Sequence, residues 1–161
     1  MVDAVVAGRG PGRVEASVVV EAGVAAAFAA ATDWPAQAGW IPFTTVEVVA
    51  GDGQSVGTVV HAFTGWGRLG ILDVFRVTAW EPPHRVEVLH LGRLIRGPGV
   101  FQFTERTPGR TEILWAEYLH LPLGRLGELA WRLVGPLAAA GLRVGLRRFA
   151  REVGSPLAPA R

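Results

Sequence analysis

From residue 43 to residue 121 the apolar pattern runs at a period of two, through six segments separated by short turns. The segments are 44–50, 56–63, 72–80, 85–91, 100–105 and 111–121. Between them lie Gly51-Asp52-Gly53, a loop over 64–70, Glu81-Pro82-Pro83, a loop over 92–99, and Thr107-Pro108-Gly109-Arg110. A period of two puts successive side chains on opposite faces of a strand, and consecutive strands joined by short turns pair antiparallel. Residues 13–20, rich in Val, read as an earlier strand. The Ala-rich run 22–31, with Phe28, reads as a helix, and Trp34 and Trp40 bracket a second helical turn ending at Pro42. The only long helical pattern runs from 126 to about 153, with apolar residues at Leu126, Leu129, Leu133 and Leu137, then Leu142, Leu146, Phe149 and Val153. Pro136 should bend it. This order predicts one α+β domain over residues 13–153, with 1–12 and 154–161 as flexible termini. Its curved antiparallel sheet of about seven strands wraps a long C-terminal helix, with two short helices after the first strand.

Composition removes several kinds of chemistry. There is no Cys, which excludes disulfides, thiolate nucleophiles and cysteine-held metals. All sixteen basic residues are Arg, so no lysine Schiff base can form. The formal net charge is only +2, too small to indicate a nucleic-acid partner. Residues 1–12 lack the basic start and long apolar run of a secretory signal, and the uncharged stretch 133–142 is about half the length of a spanning helix. The expectation is a cytoplasmic protein without stable membrane insertion; homodimerisation stays open.

Hairpin centres sort the strand residues into two faces. They pair His61 with Asp73, Val77 with Val88, Phe75 with His90, Phe103 with Ile113 and Phe101 with Trp115, and bring His90 near Phe101. One face then carries Phe63, Phe75, Val77, Val88, His90, Phe101, Phe103, Ile113 and Trp115, with His61, Asp73 and Glu117 as polar interruptions. The other face is mostly polar: Arg76, Thr78, Glu87, Gln102, Thr104 and Glu112. The aromatic face should be concave. Opposite it the helix offers Gly135, Ala138, Ala139, Ala140, Gly141 and Gly145, small residues that would leave a cavity for a small hydrophobic molecule. Close helix–sheet packing is the alternative.

Titratable groups on such a face must be paired or used. His61 beside Asp73 could act as an acid/base dyad, with Glu117 as a third proton-transfer group. A solvated ion pair at the sheet rim accounts for the same two residues without chemistry. His90 could hydrogen-bond a ligand or be satisfied internally. Gly65-Trp66-Gly67-Arg68-Leu69-Gly70 fits G-x-G-x-x-G, but it lies in a hairpin and not before a helix. No metal-site spacing, nucleophile elbow or cofactor motif is present, so neither metal nor cofactor is expected. Arg143, Arg147 and Arg151 share one helix face, suited to a partner, to lipid headgroups or simply to solvent.

Several short motifs together resemble a known superfamily. They are Val18-Val19-Val20-Glu21-Ala22, Thr32-Asp33-Trp34-Pro35 through Trp40-Ile41-Pro42, Gly57-Thr58, Val77 through Pro83, Gly109-Arg110-Thr111 and Leu121-Pro122-Leu123-Gly124. In this order over residues 13–153 they are similar to the START-like (SRPBCC) superfamily, in its bacterial polyketide cyclase/dehydrase and lipid-transport branch. The resemblance implies a helix-grip fold with an apolar cavity between sheet and C-terminal helix, and a lipid, polyketide or similar ligand. It implies no particular reaction. Binding or transport is the leading reading, a cyclase or dehydratase using His61, Asp73 and Glu117 the second, and a protein-interaction module the third.

Overall fold

The computed structural model describes residues 12–121 and 123–154. Seven strands form one antiparallel sheet: β1 (Arg13–Val20), β2 (Thr44–Ala50), β3 (Val59–Trp66), β4 (Leu69–Glu81), β5 (Arg85–Leu91), β6 (Arg96–Thr107) and β7 (Arg110–Tyr118). Their order is β1-β7-β6-β5-β4-β3-β2, so β2 to β7 form a meander and β1 pairs with its last strand. Two short helices, α1 (Val24–Ala31) and α2 (Gln37–Trp40), link β1 to β2, and the long helix α3 (Arg125–Val153) follows β7. This is the α+β architecture expected from the sequence. Two residues at the edges of the predicted flexible termini are tied down: the Leu119 amide donates to the Gly12 carbonyl and the Gly154 amide to the Ala150 carbonyl. The rest of those termini lie outside the described residues.

The core lies between the concave face and three helical anchors. Val60, Val77, Val86 and Ile113 are fully buried on the sheet, and Leu146 and Phe149 of α3 reach in from the other side. Phe28 of α1 meets Phe103 edge to face at 5.2 Å, and Trp40 of α2 meets Phe149 at 5.2 Å. Each such side chain, fully withdrawn from water, is worth about 1.5–3 kcal/mol of transfer free energy.

One hairpin departs from the expected register. The predicted loop over 64–70 is a two-residue turn, Gly67-Arg68, with Gly67 at φ 61°. Glycine enters that left-handed region without steric cost, which lets the strands run on to Trp66 and Leu69. The hairpin centre therefore lies between residues 67 and 68 rather than on 67, and the pairing slips by one. His61 pairs with Val74 and Phe63 with Leu72, on the convex face, while Val60 and Ala62 face inward opposite Phe75 and Asp73. Between β5 and β6 only residues 92–95 are outside the strands. His90 sits opposite Gly97 and Phe101 opposite Val86. That shift is an even number of residues, so the predicted face survives.

The helix also departs from expectation, for a reason visible in its periodicity. At 3.6 residues per turn, Leu126, Leu129, Leu133 and Leu137 fall on the side of the cylinder opposite Leu142, Leu146, Phe149 and Val153. The second set grips the sheet, so the first is turned away: Leu126 is 69% exposed, Leu133 76% and Leu137 73%. By length and composition alone α3 could cross a membrane, but its second half is anchored in the protein core. The small residues differ among themselves: Gly141 borders open space, and Gly135 and Ala139 line a surface groove with β1. Trp131, Gly135 and Ala139 lie along the start of β1 beside Val14, and a methyl group on Gly145 would sit in ordinary contact with Trp40 and Trp115, 3.6 and 3.7 Å away.

Candidate functional site

Antiparallel connection places three titratable side chains at one end of the concave face. His90 is the penultimate residue of β5, Glu117 the penultimate residue of β7, and Asp73 lies near the start of β4. Between His90 and Glu117 runs β6, which contributes Gly97 opposite His90 and Gly99 opposite Glu117. Those glycines make the contact possible. A methyl group on Gly99 would fall 2.5 Å from Glu117 Oε2 and 3.0 Å from His90 Nε2.

Across that gap the His90 ring donates Nε2–H to Glu117 Oε2 at 2.8 Å and Nδ1–H to Asp73 Oδ2 at 2.7 Å. The Trp115 indole N–H donates to the other Glu117 oxygen at 2.6 Å, and the Trp115 ring stacks on Phe101 at 4.9 Å. His90 is 6% exposed and Glu117 9%. Burial by itself pushes the imidazole pKa down. The charges of Glu117 and Asp73 and the hydrogen bonds His90 donates to both carboxylates outweigh it, and the net effect is upward, to about 10. At neutral pH His90 is therefore an imidazolium held between two carboxylates.

Among the described residues, two polar atoms at this end of the core have no partner. Asp73 Oδ1 and Trp40 Nε1 are both withdrawn from water and unbonded. Trp40 stands edge-on to Trp115 at 5.9 Å, which joins it to the same wall. An unpaired buried acceptor costs about 1–3 kcal/mol, recovered when a ligand or water supplies the missing partner. Both His90 nitrogens are engaged, so the ring has no lone pair to offer a metal. Among the described residues no three His, Asp or Glu converge as a metal site.

The sequence-predicted residues divide accordingly. Asp73, His90 and Glu117 come together, and Phe75, Phe101 and Trp115 surround them on the same face. Val77, Val88, Phe103 and Ile113 belong to the packed core farther along. The His61–Asp73 dyad does not form, and Phe63 leaves the concave face with His61, because of the one-residue slip. Sequence reasoning missed Gly97, Gly99 and Trp40. The glycines had a signal: Gly97, Gly99, Phe101 and Phe103 recur at a period of two, as strand residues do. Trp40 stands out in the sequence as the end of a short helical turn and in the motif Trp40-Ile41-Pro42, but neither places its indole N–H in the core. Arg143 and Arg147 line a groove along β1 with Glu15 and Ser17, away from this site.

A surface groove of about 850 Å³ lies at the other end of the sheet, between α1 and the turns at 51–54 and 82–83. Its polar groups serve local structure. The Trp34 indole N–H donates to the Gly53 carbonyl, and Asp52 accepts from the Gln54 amide and the Ser55 hydroxyl. The Asp73–His90–Glu117 end differs in that Asp73 Oδ1 and Trp40 Nε1 are buried there without a partner among the described residues.

Comparison with known proteins agrees with the motifs. Residues 11–154 match the family described as polyketide cyclase/dehydrase and lipid transport. No curated protein matches the chain. Among solved structures, a Thermus thermophilus protein is 17% identical with a TM-score of 0.72, over 88% of this chain and 96% of that one. The Zhui aromatase/cyclase of a Streptomyces species is 16% identical with a TM-score of 0.71, over 88% and 92%. A Chromobacterium violaceum protein is 15% identical with a TM-score of 0.67, over 91% and 100%. At these identities the structures establish a shared fold, and the family match extends over almost the whole described chain: the protein belongs to the polyketide cyclase/dehydrase and lipid transport family, within the SRPBCC superfamily.

Proposed function

We propose that the protein is a cytoplasmic carrier or receptor for a small, largely apolar molecule bearing at least one hydroxyl or N–H group. The observation behind this reading is the unpartnered Asp73 Oδ1, fixed by an imidazolium on a wall of Phe75, Phe101 and Trp115. An apolar surface with a few placed polar groups is the usual composition of a small-molecule site. In this reading Asp73 accepts from the ligand, the Trp40 indole N–H donates to it, and His90 and Glu117 hold Asp73 in position.

The aromatase/cyclase among the fold neighbours raises proton transfer as the second reading. The electrostatics favour the first. An efficient general acid or base has a pKa near the working pH, and an imidazolium with a pKa of about 10 gives up its proton reluctantly. The cluster is suited to holding charge rather than moving it.

Native mass spectrometry of gently purified protein, with displacement of an apolar fluorescent probe, tests the proposal. The expected result is a copurifying lipophile, or probe binding at one site, weakened roughly tenfold in Asp73→Ala through the lost charge-assisted hydrogen bond. Wild-type protein that carries nothing and binds no apolar probe would reject it.

A further inference from the structure

The topology gathers an unusual surface at the end of the sheet that carries Asp73, His90 and Glu117. The β3–β4 turn, the β5–β6 turn and the segment from β7 into α3 all lie at this end, because successive turns of a meander alternate between its two ends. Hairpin tips normally carry polar residues, but these carry large apolar ones. Trp66 and Leu69 flank the two-residue turn at 81% and 82% exposure, and Phe43 stacks on Trp66. Leu94 projects from the next turn, Leu123 from the approach to α3 and Leu126 from the first turn of that helix.

The charges around them are one-sided. Residues 59–72, 89–97 and 118–134 contain Arg68, Arg93, Arg96, Arg125 and Arg132. Of the acids at this end, Asp73 and Glu117 are buried against His90, Glu15 is paired with Arg13, and Glu47 and Glu128 stand exposed, fewer than the arginines. All five arginines are accessible to solvent or partly so, and none forms an ion pair among the described residues. Arg13, also at this end, is matched by Glu15, and at the opposite end Arg85 pairs with Glu87, Arg106 with Glu112 and Arg110 with Glu21.

We propose that this end docks on the surface of an anionic lipid bilayer. Trp66, Leu69, Leu94 and Leu123 would enter the boundary between headgroups and acyl chains. Trp is well suited to that boundary, and the Arg heads can stay level with lipid phosphates while their stems lie in apolar surroundings. The charge decides against a second copy of the chain as occupant. A two-fold interface would press the same arginine-rich patch against itself, whereas anionic headgroups complement it. The attachment is peripheral, because α3 is held by its second half in the core.

Co-sedimentation of the full chain with phosphatidylcholine vesicles, with and without phosphatidylglycerol, tests this. Binding is expected with phosphatidylglycerol and should weaken as salt rises. Arg68→Gln and Arg93→Gln should each weaken it roughly fivefold, the equivalent of about 1 kcal/mol per surface charge. The double change Trp66→Ser/Leu69→Ser should weaken it by at least roughly tenfold. It should leave the unfolding midpoint unchanged, since both side chains stand in solvent. Three results would overturn the proposal. One is no sedimentation with either vesicle. Another is unchanged binding in the double variant. The third is a wild-type dimer in solution that the double variant converts to monomer, which would assign the surface to self-association.

Discussion

The buried imidazolium has a thermodynamic consequence that can be measured without knowing the ligand. His90 titrates at about 10 in the folded chain and near 6.5 once unfolded. Between those values the folded state holds one proton more than the unfolded state, so stability falls as pH rises. The contribution is fully present below about 6.5 and is lost by the time pH passes about 10. One proton corresponds to about 1.4 kcal/mol per pH unit where the difference is complete. Integrated from pH 6 to pH 9, the loss is about 3 kcal/mol, a large share of the roughly 5–15 kcal/mol that stabilises a typical domain. Urea unfolding at half-unit pH steps should show the midpoint falling by about 1–2 M over that range, with unchanged slope. The chain suits the measurement: with no Lys and one Tyr, few other groups titrate there. Unfolding at pH 8 in weakly buffered solution should release about one proton. His90→Gln should abolish both signals. A midpoint that is flat from pH 6 to 9 in the wild type, or proton release that persists in His90→Gln, would refute a charged His90.

Gly99→Ala places a methyl group 2.5 Å from Glu117 Oε2 and 3.0 Å from His90 Nε2, so it should split the cluster. A loss of about 2–4 kcal/mol in urea unfolding and a flatter stability–pH profile are expected; wild-type behaviour would mean that the strands part without cost. Phe149→Ala should remove about 3–5 kcal/mol by opening a cavity between Trp40 and the sheet, checked by thermal unfolding. Leu133→Ser, on the same helix but turned to solvent, should stay within about 0.5 kcal/mol by the same assay.

The fold was legible because element order and periodicity are determined by the backbone, and most chain turns announce themselves through Pro and Gly. Face assignment was less secure, since it depends on the exact centre of each turn. Gly67-Arg68 closes two residues where the loop 64–70 implied more, and that single step carried His61 and Phe63 to the outer face. The longer loop expected between β5 and β6 did no such harm, because only odd shifts exchange faces. The sequence leaves His90 open between bonding a ligand and being satisfied internally, and it is the centre of the cluster. Its partner Asp73 falls opposite His61 in the register the longer loop implies, and its contact with Glu117 crosses an intervening strand. No pairwise hairpin argument finds such a contact unless the glycines of β6 are read as cleared space. The two sets of apolar residues in the helix, 126–137 and 142–153, lie on opposite sides of the cylinder, and burial shows what that means: it divides α3 into a half that holds the sheet and a half whose apolar side chains face outward.

Stability alone does not explain why a chain would keep Asp73, His90 and Glu117 in an otherwise apolar wall. Withdrawing three charged groups from water is expensive, and their mutual attraction only partly offsets that cost. Removing one member should be severe, about 3–5 kcal/mol, because it leaves the others uncompensated. Removing all three together should behave differently. The combined change Asp73→Leu/His90→Phe/Glu117→Met keeps similar volumes, spares the Gly99 clearance and eliminates the unpartnered Asp73 oxygen. By analogy with buried ionic clusters in general, the triple variant should be as stable as the wild type or up to about 4 kcal/mol more stable in urea unfolding at pH 7. Probe binding that depends on Asp73 should be lost at the same time. Stability and binding moving in opposite directions would identify the cluster as a cost carried for recognition. If the triple variant instead unfolds as readily as the single ones, the three charges belong to the architecture of the sheet, and the polar anchor of the ligand site must be sought elsewhere on the concave face.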